Sequence, residues 1–281
     1  MKVLVTGANG QLGYDVIKRL DSEGIEYLGT DRKSLDITSK EHVRRFISDY
    51  YPEVVIHCAA YTAVDKAEDE KDLCYSVNVL GTKYVAEACK EINAKLVYIS
   101  TDYVFNGEGD QPFDVTDKPN PVNYYGQTKY EGELEVRNNV VKYFIVRISW
   151  VFGRHGNNFV KTMLRLGKDR DELSVVADQI GSPTYTYDLA QLLVEIIQSD
   201  KFGTYHAANE GYCSWYDFAC EIFKQAGINV KVKPIKSGEY PTKARRPKNS
   251  RLCKDKTWSA FAYKLEDWDD SLRGFLDYEE D

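Results

Sequence analysis

The stretch MKVLVTGANGQLG, residues 1–13, decides the fold. An apolar run precedes glycines at positions 7, 10 and 13, and apolar residues at helical spacing follow over residues 11–22. This pattern predicts a strand, a tight turn and a helix. In such a turn Gly7 makes the bend, Gly10 lets a pyrophosphate approach the backbone, and Gly13 lets the helix pack closely on the strand.

A carboxylate after the second predicted strand supports binding of a dinucleotide at this turn. Asp31 lies where an acidic side chain can bind the adenosine ribose hydroxyls of a dinucleotide. Arg32 follows directly and could bind a 2′-phosphate, so we expect the protein to accept both NADH and NADPH. Because the glycines follow a strand and open a helix, dinucleotide binding is favoured over the alternative, a purely structural turn.

Predicted strands alternate with predicted helices through residue 150. This alternation predicts an α/β fold in which a doubly wound parallel sheet is covered on both faces. Past residue 150 the alternation weakens, and the basic segment SGEYPTKARRPKNSRL, residues 237–252, has no apolar periodicity. We expect residues 1–150 to form the nucleotide-binding domain and residues 151–281 to form mainly a second domain. Since no flexible linker separates them, we expect later segments to return to the first domain and the two to interlock.

Composition narrows the class of partner. The 281 residues carry a formal net charge of −7, which does not suit nucleic acid or an anionic membrane as a partner. No apolar run approaches the length of a membrane span. The six cysteines include no C-x-x-C pair, which favours reduced thiols in a cytoplasmic protein.

Thr101, Tyr125 and Lys129 form a candidate catalytic group. Thr101 ends the fourth predicted strand, at the sheet edge where open α/β folds bind ligands. Tyr125 and Lys129 are four residues apart and share one face of a helix. We expect the lysine ammonium, together with a positive nicotinamide ring, to lower the pKa of the phenol, so that Tyr125 can protonate an alkoxide formed from a carbonyl. A Tyr-x-x-x-Lys pair also arises by chance, and this chain has 21 tyrosines.

Several longer stretches resemble one family within the extended short-chain dehydrogenase/reductases, the dTDP-4-dehydrorhamnose reductases. The matching stretches are VTGANGQLG, CAAYTAVDKAE, NVLGT, STDYVFNG, YYGQTKYEGE, RISWVFG, DQIGSPT, SWYDFA and RRPKNSRL. The resemblance implies a Rossmann-type domain followed by a smaller C-terminal α/β substrate-binding domain. It also implies NAD(P)H-dependent reduction of the 4-keto group of a dTDP-linked 6-deoxyhexose to give dTDP-L-rhamnose.

The resemblance further assigns roles to individual residues. For the cofactor it implies the pyrophosphate-binding residues Gly10, Gln11 and Leu12, the adenine-binding residues Asp36 and Ile37, the nicotinamide-side residues Ala59, Ala60 and Thr62, and Lys129 at the nicotinamide ribose. For the reaction it implies Tyr125 as proton donor, and for the substrate it implies Thr101, Asp102, Val64 and Trp150.

Other residues keep two interpretations open. Trp150 is either a core aromatic residue or a platform for the sugar. Arg246 is either solvated or a clamp on the substrate diphosphate. Some family members bind Mg²⁺ at a dimer contact through a glutamate near the third glycine. This chain has Asp15 there, which we interpret as a solvated acid in the first helical turn. We expect no metal site, and a homodimer is compatible with the sequence.

Three functions compete at this stage. The first is the reductase. The second is another nucleotide-sugar reductase, 4,6-dehydratase or 4-epimerase of the same superfamily. Dehydratases place an Asp-Glu pair after the threonine, whereas this chain has Asp102-Tyr103 and lacks the base. The third is a non-catalytic NADP-binding regulatory subunit, which would have no need to keep Thr101, Tyr125 and Lys129 together.

Overall fold

The computed structural model describes residues 1–277. Its strands are β1 (Lys2–Thr6), β2 (Glu26–Thr30), β3 (Val54–His57), β4 (Lys95–Thr101), β5 (Tyr143–Ile148), β6 (Val151–Phe152), β7 (Glu172–Val176), β8 (Ile180–Gly181), β9 (Thr184–Tyr185), β10 (Gly203–His206), β11 (Cys213–Ser214), β12 (Lys231–Ile235) and β13 (Asn249–Ser250). Its α-helices are α1 (Gln11–Ser22), α2 (Lys40–Tyr50), α3 (Val64–Ala67), α4 (Lys71–Tyr75), α5 (Thr82–Glu91), α6 (Tyr124–Asn139), α7 (Phe159–Asp169), α8 (Thr186–Gln198), α9 (Trp215–Gln225), α10 (Asp255–Ala260) and α11 (Trp268–Leu276).

A six-stranded sheet in the order β10-β5-β4-β3-β1-β2 forms the centre of the fold. Every neighbouring pair in it is parallel, which confirms the predicted α/β class. Strand order reverses between the neighbouring strands β1 and β3, so a crevice opens at their carboxyl ends, with the end of β4 next to β3. The sixth strand, β10, comes from late in the chain and pairs with β5.

Two hydrophobic layers cover this sheet because successive side chains of a strand point to opposite faces. Val3 and Val5 lie in the layer that contains α1 and α8. Leu4 lies in the other layer, with Val43 and Ile47 of α2. These residues are fully buried, which fixes the position of the β1–α1 turn on both sides of the sheet.

A third core lies beside the main sheet and is built from later segments. Phe152 and Phe218 are buried at its centre, where helices α7, α9 and α11 meet the paired strands β7 and β12. A small sheet of β11, β8 and β13 adjoins it. Among residues 1–277, none of the helices combines the length and the apolar character that crossing a membrane requires.

Helix ends show which helices are capped by a side chain. Ser39 caps α2, and Ser214 caps α9 in a capping box with Asp217. Helix α8 has Tyr185 at the cap position, which provides no side-chain cap. Helices α4 and α5 are joined by a π-helical segment at Ser76–Gly81.

Candidate functional site

The β1–α1 turn is built around the close approach of three backbone segments. Gly7 has φ of +68°, a conformation that side-chain-bearing residues rarely adopt, and a Cβ there would lie 2.7 Å from the amide nitrogen of Ala59. A Cβ on Gly13 would lie 2.2 Å from the carbonyl oxygen of Gly7. The two glycines therefore let β1, α1 and the segment after β3 meet at one point.

The N-terminus of α1 suits an anionic ligand. Gly10 is the exposed N-cap residue and provides no side-chain cap to the first helical turn. The first amide groups of a helix have no partner within the helix, and the helix dipole adds positive potential there. Gln11 and Leu12 belong to this first turn. Backbone donors at an uncapped helix end, opened by glycine, fit the pyrophosphate of a dinucleotide.

Asp31 directly follows β2 and shapes the loop that begins there. Its Oδ1 accepts hydrogen bonds from the Lys33 and Ser34 amides at 3.0 and 2.9 Å, and its Oδ2 accepts one from Asn9 Nδ2 at 2.9 Å. These bonds, led by those from Ser34, lower the pKa of Asp31, so the carboxylate is ionised. Arg32 is exposed beside it, as a residue that reads a 2′-phosphate must be.

The other predicted cofactor residues line the neighbouring loops. Asp36 accepts hydrogen bonds from the Thr38 amide and hydroxyl at 3.0 and 2.7 Å. Ile37 is buried, in contact range of a Cβ built on Gly81. Ala59 and Ala60 are half-buried and Thr62 is exposed, all on the segment after β3.

Thr101, Tyr125 and Lys129 meet at the carboxyl end of β4. Thr101 is its last residue, and its hydroxyl donates to Asp102 Oδ1 at 2.9 Å and accepts from the Tyr103 amide at 3.2 Å. Tyr125 lies in the first turn of α6, where the Tyr103 ring meets it edge-on at 5.6 Å. Lys129 is buried one turn later, and its Nζ lies 4.1 Å from the centre of the Tyr98 ring.

The electrostatics of this group differ from the expectation that Lys129 lowers the pKa of Tyr125. Burial raises the pKa of Tyr125, and the Asp102 carboxylate adds to the rise, while the hydrogen bond between Tyr125 and Thr101 opposes it. Burial also lowers the pKa of Lys129 to about 7, with Glu133 opposing. In the protein alone, removal from water outweighs the attraction between the two groups. Tyr125 therefore carries its proton throughout the neutral range.

Asp102 is buried beside Thr101. Burial raises its pKa to about 6, and hydrogen bonds from Ser250 and Thr101 oppose the rise. Within residues 1–277 its Oδ2 atom has no hydrogen-bond partner. A buried acceptor without a partner at a sheet edge is suited to bind a ligand hydroxyl.

A cleft of about 1210 Å³, lined mainly by residues from the C-terminal part of the chain, adjoins this group at Tyr103. Its lining includes the basic residues Arg170, Arg245, Arg246 and Lys248 and the aromatic residues Tyr103, Phe159, Trp215 and Tyr240. Arg246 Nη1 lies 3.5 Å from the Tyr103 hydroxyl, and Tyr103 contacts Tyr125. The basic, aromatic cleft therefore lies next to Tyr125, with the Tyr103 ring between them.

Two predicted substrate residues lie near the cleft. Val64 packs in a small apolar cluster with Tyr125. Trp150 stacks on Trp215 with ring centres 3.7 Å apart, and its backbone has φ of +48°. A left-handed conformation costs a non-glycine residue free energy, and such strain is often found at functional sites.

Asp15 corrects another expectation. It is not a solvated acid: it is buried and accepts a hydrogen bond from the Thr186 hydroxyl of α8. The prediction was wrong because α8 covers the face of α1 that carries it. No cluster of acidic, histidine or cysteine side chains suited to a metal occurs within residues 1–277.

Sequence reasoning did not identify three polar residues that connect the parts of the site. Asn158 donates to the Gln11 side chain at 3.0 Å and caps α7. Glu68 accepts from the Tyr124 amide at 2.9 Å, at the start of the helix that carries Tyr125. Asp65 bonds to Arg246. Asp65 and Glu68 belong to AYTAVDKAE, one of the stretches that resemble the family, and that resemblance was the signal that could have identified them.

Comparisons with known proteins match the chain nearly from end to end. The family model described as the RmlD substrate binding domain matches residues 1–280. A dTDP-4-dehydrorhamnose reductase of Aggregatibacter actinomycetemcomitans is 45% identical, covering 99% of both chains. The crystal structure of a dTDP-4-dehydrorhamnose reductase from Clostridium acetobutylicum is 47% identical with a TM-score of 0.96, covering 99% of both chains.

A further solved structure contains a nucleotide. A dTDP-4-dehydrorhamnose reductase from Bacillus anthracis in complex with NADP is 46% identical, with a TM-score of 0.95 and coverage of 98% of both chains. The chain belongs to the dTDP-4-dehydrorhamnose reductase family.

Proposed function

We propose that this protein reduces the 4-keto group of dTDP-4-dehydrorhamnose to give dTDP-L-rhamnose, with NADPH or NADH as reductant. The observation that carries the proposal is the position of Tyr125. Its phenol lies beside Thr101, the last residue of β4, and its ring contacts Tyr103, which lines the basic cleft. Family membership supplies the substrate class.

Backbone and side chains around the crevice would hold the dinucleotide. We assign the pyrophosphate to Gly7, Gly10, Gln11, Leu12 and Gly13, and the adenosine end to Asp31, Arg32, Asp36 and Ile37. The uncapped first turn of α1 and the ionised Asp31 support these assignments. We assign the nicotinamide end to Ala59, Ala60, Thr62, Tyr125 and Lys129.

Reduced nicotinamide, when bound, supplies the hydride. Tyr125 then donates its phenolic proton to the oxygen of the reduced carbonyl, which would otherwise carry a full negative charge. Its raised pKa keeps that proton in place until the oxygen becomes more basic. Lys129, one helical turn away, would bind the ribose and stabilise the phenolate left behind. Thr101 donates to Asp102 in the free protein, so its hydroxyl must rotate to donate to the substrate oxygen.

The cleft would hold the nucleotide end of the substrate. Arg246 would bind the diphosphate, since a guanidinium matches two phosphate oxygens at once. Val64, Asp102 and Trp150 would contact the sugar. Residues 1–150 would then form mainly the cofactor domain and residues 151–281 mainly the substrate domain.

Location and assembly are also inferred. The six cysteines, all free, favour a reducing, cytoplasmic environment. A homodimer stays a prediction, which sedimentation of the purified protein checks.

A direct spectrophotometric assay tests the proposed function. Purified protein is mixed with dTDP-4-dehydrorhamnose and NADPH or NADH, and the absorbance of the reduced nicotinamide is followed while the sugar product is identified. We expect one dTDP-L-rhamnose formed for each reduced nicotinamide consumed. Conversion of the sugar without net consumption would indicate an epimerase instead, and no conversion by protein that binds NADPH would contradict both enzymes.

A further inference from the structure

Residues 243–246, here called the basic strap, lie between the cleft and helix α3. The strap contains Lys243, Arg245 and Arg246, and Arg245 and Arg246 line the cleft. Helix α3 belongs to the segment after β3, which also carries the residues assigned to the nicotinamide. The strap is therefore the place where the two binding regions touch.

Asp65 uses both of its carboxylate oxygens on the basic strap. Its Oδ2 accepts from Arg246 Nη2 at 2.5 Å, and its Oδ1 accepts from the Ala244 amide at 3.0 Å. The first bond orients a side chain, and the second fixes the backbone that carries it. Asp65 and Arg246 are 181 positions apart in sequence, so this contact exists only in the folded chain.

The strap has a second anchor on the other side of the site. Asn123, which caps α6 two residues before Tyr125, donates through Nδ2 to the Arg245 carbonyl at 2.8 Å. Arg246 also approaches the Tyr103 hydroxyl, at 3.5 Å. The guanidinium is thus held within the same group of residues as the proton donor.

A carboxylate beside an arginine can either organise it or compete with an anionic ligand for it. Arginine has five N–H donors, and Asp65 accepts from one nitrogen of Arg246, which leaves other donors for phosphate oxygens. Fixing a long side chain before the ligand arrives removes part of the entropy cost of binding. A competitor would not need the bond to the Ala244 backbone, which holds the strap itself.

We propose that Asp65 is a positioning residue for substrate binding, which holds Arg246 and the basic strap so that the guanidinium meets the diphosphate of the nucleotide sugar. This inference rests on the proposed function, because it takes the occupant of the cleft to be a nucleoside diphosphate sugar. The inference assigns one shared role to Asp65, the first acid in AYTAVDKAE, and Arg246, the second arginine in RRPKN.

The test compares Asp65→Asn with a matched control, Asp69→Asn. The Asp65→Asn change keeps the size of the side chain and an oxygen that can accept from the Ala244 amide, but it removes the charge that holds Arg246. Asp69 pairs with Lys243 on the same strap and is more than half exposed, so its loss should change KM by less than about threefold. We expect Asp65→Asn to raise the KM for the nucleotide sugar about tenfold, with kcat nearly unchanged and NADPH affinity equal to that of the unchanged protein.

A double variant separates positioning from general damage. If Asp65 acts through Arg246, then Asp65→Asn combined with Arg246→Ala should raise KM no further than Arg246→Ala alone. If the two substitutions instead multiply each other's effect on KM, the proposal is overturned. It is also overturned if Asp65→Asn has a KM at or below that of the wild-type protein, because Asp65 would then compete with the diphosphate for Arg246. Asp65→Ser, which is too short to reach Arg246, should raise KM at least as much as Asp65→Asn.

A binding measurement keeps this inference separate from the proposed function. Calorimetric titration with dTDP alone reports on the diphosphate without any turnover. We expect weaker dTDP binding in Asp65→Asn than in Asp69→Asn. If the unchanged protein reduces no sugar, the proposed function fails, whereas equal dTDP affinity in both variants removes the role of Asp65 even in an active reductase.

Discussion

Asp15 of helix α1 accepts a hydrogen bond from Thr186 of helix α8, across 171 residues of sequence. Both side chains are buried, and burial is the main reason that the pKa of Asp15 is raised. The hydrogen bond from Thr186 opposes the rise, and so do the positive charges of Arg154 and Lys18. The bond joins the helix of the glycine turn to the helix that follows β9, so it ties the cofactor end of the site to the later part of the chain.

Replacement of Asp15 by Asn should leave the protein at least as stable at neutral pH. A folded-state pKa above the unfolded value means that the ionised form is disfavoured by folding, so this group's contribution falls as pH rises above about 4. Asparagine accepts the same bond without a buried charge. Asp15→Ala should instead cost about 1–3 kcal/mol, since it leaves the Thr186 hydroxyl buried without its acceptor. Thermal unfolding checks both, with exposed Asp21→Asn as control, and a lower Tm for Asp15→Asn than for Asp15→Ala would contradict the argument.

The sequence predicted local features well and distant contacts poorly. The glycines and the spacing of Leu12 and Val16 predicted β1 and α1 with their observed bounds, because turn, strand and helix patterns are local. Asp15 was placed in solvent because nothing within its own helix shows that α8 covers it. Contacts of this length depend on the whole topology.

The candidate site shows the same division. The strand pattern placed Thr101 at the carboxyl edge of the sheet, and the four-residue spacing placed Tyr125 and Lys129 on one face of a helix. The upward shift of the Tyr125 pKa could not be predicted in this way, because it depends on burial by segments that the local pattern does not reveal. The role of Asp65 could not be predicted either, because its partner Arg246 lies 181 positions away in the sequence.

The buried ion pair of Glu133 and Arg147 should be essential for stability. Both side chains are at most 1% exposed, with two bonds of 2.8 Å between them. Arg147→Met removes both of these charge-assisted hydrogen bonds from the buried carboxylate and leaves Arg137 as its remaining cationic partner, so it should cost about 2–3 kcal/mol. Arg137 bonds to the same carboxylate from a more exposed position, and Arg137→Met serves as the control with a smaller loss. Chemical denaturation measures the free energy of unfolding of both variants. Equal losses in the two variants would show that the burial of Arg147 does not matter.

Arg32 should discriminate between the two cofactors. It is exposed next to Asp31, whose carboxylate is ionised and disfavours a 2′-phosphate. Arg32→Ala should therefore weaken NADPH binding by about tenfold or more and leave NADH binding nearly unchanged. Fluorescence titration with each cofactor checks this, and Lys33→Ala on the same loop is the control. Equal losses for both cofactors would remove Arg32 from recognition of the phosphate.

Lys129 should set the alkaline limit of activity. Its pKa of about 7 means that the charged form in the free protein declines as pH rises above neutrality. Because kcat/KM for NADPH reports the ionisation of the protein without cofactor, kcat/KM for NADPH should fall up to about tenfold per pH unit above that point. Arginine remains charged, so Lys129→Arg should show lower activity but no such decline. The same decline in Lys129→Arg would assign it to another group.

Tyr125 should supply the proton, and Tyr125→Phe removes only its hydroxyl. The variant should fold and bind NADPH like the unchanged protein, because the ring and its contact with Tyr103 remain. Turnover should fall by roughly 10²–10⁴-fold, the usual contribution of a positioned acid. Since burial raises the pKa of the phenol, the acid stays protonated across the neutral range, and Tyr125 itself should add no decline in reduction there. Tyr103→Phe is the matched control, since it alters the neighbouring phenol while leaving Tyr125 in place, and it should reduce turnover far less. If Tyr125→Phe kept near-normal turnover, the proton would have to come from another group in the crevice, and Asp102, buried beside Thr101, would be the next residue to replace.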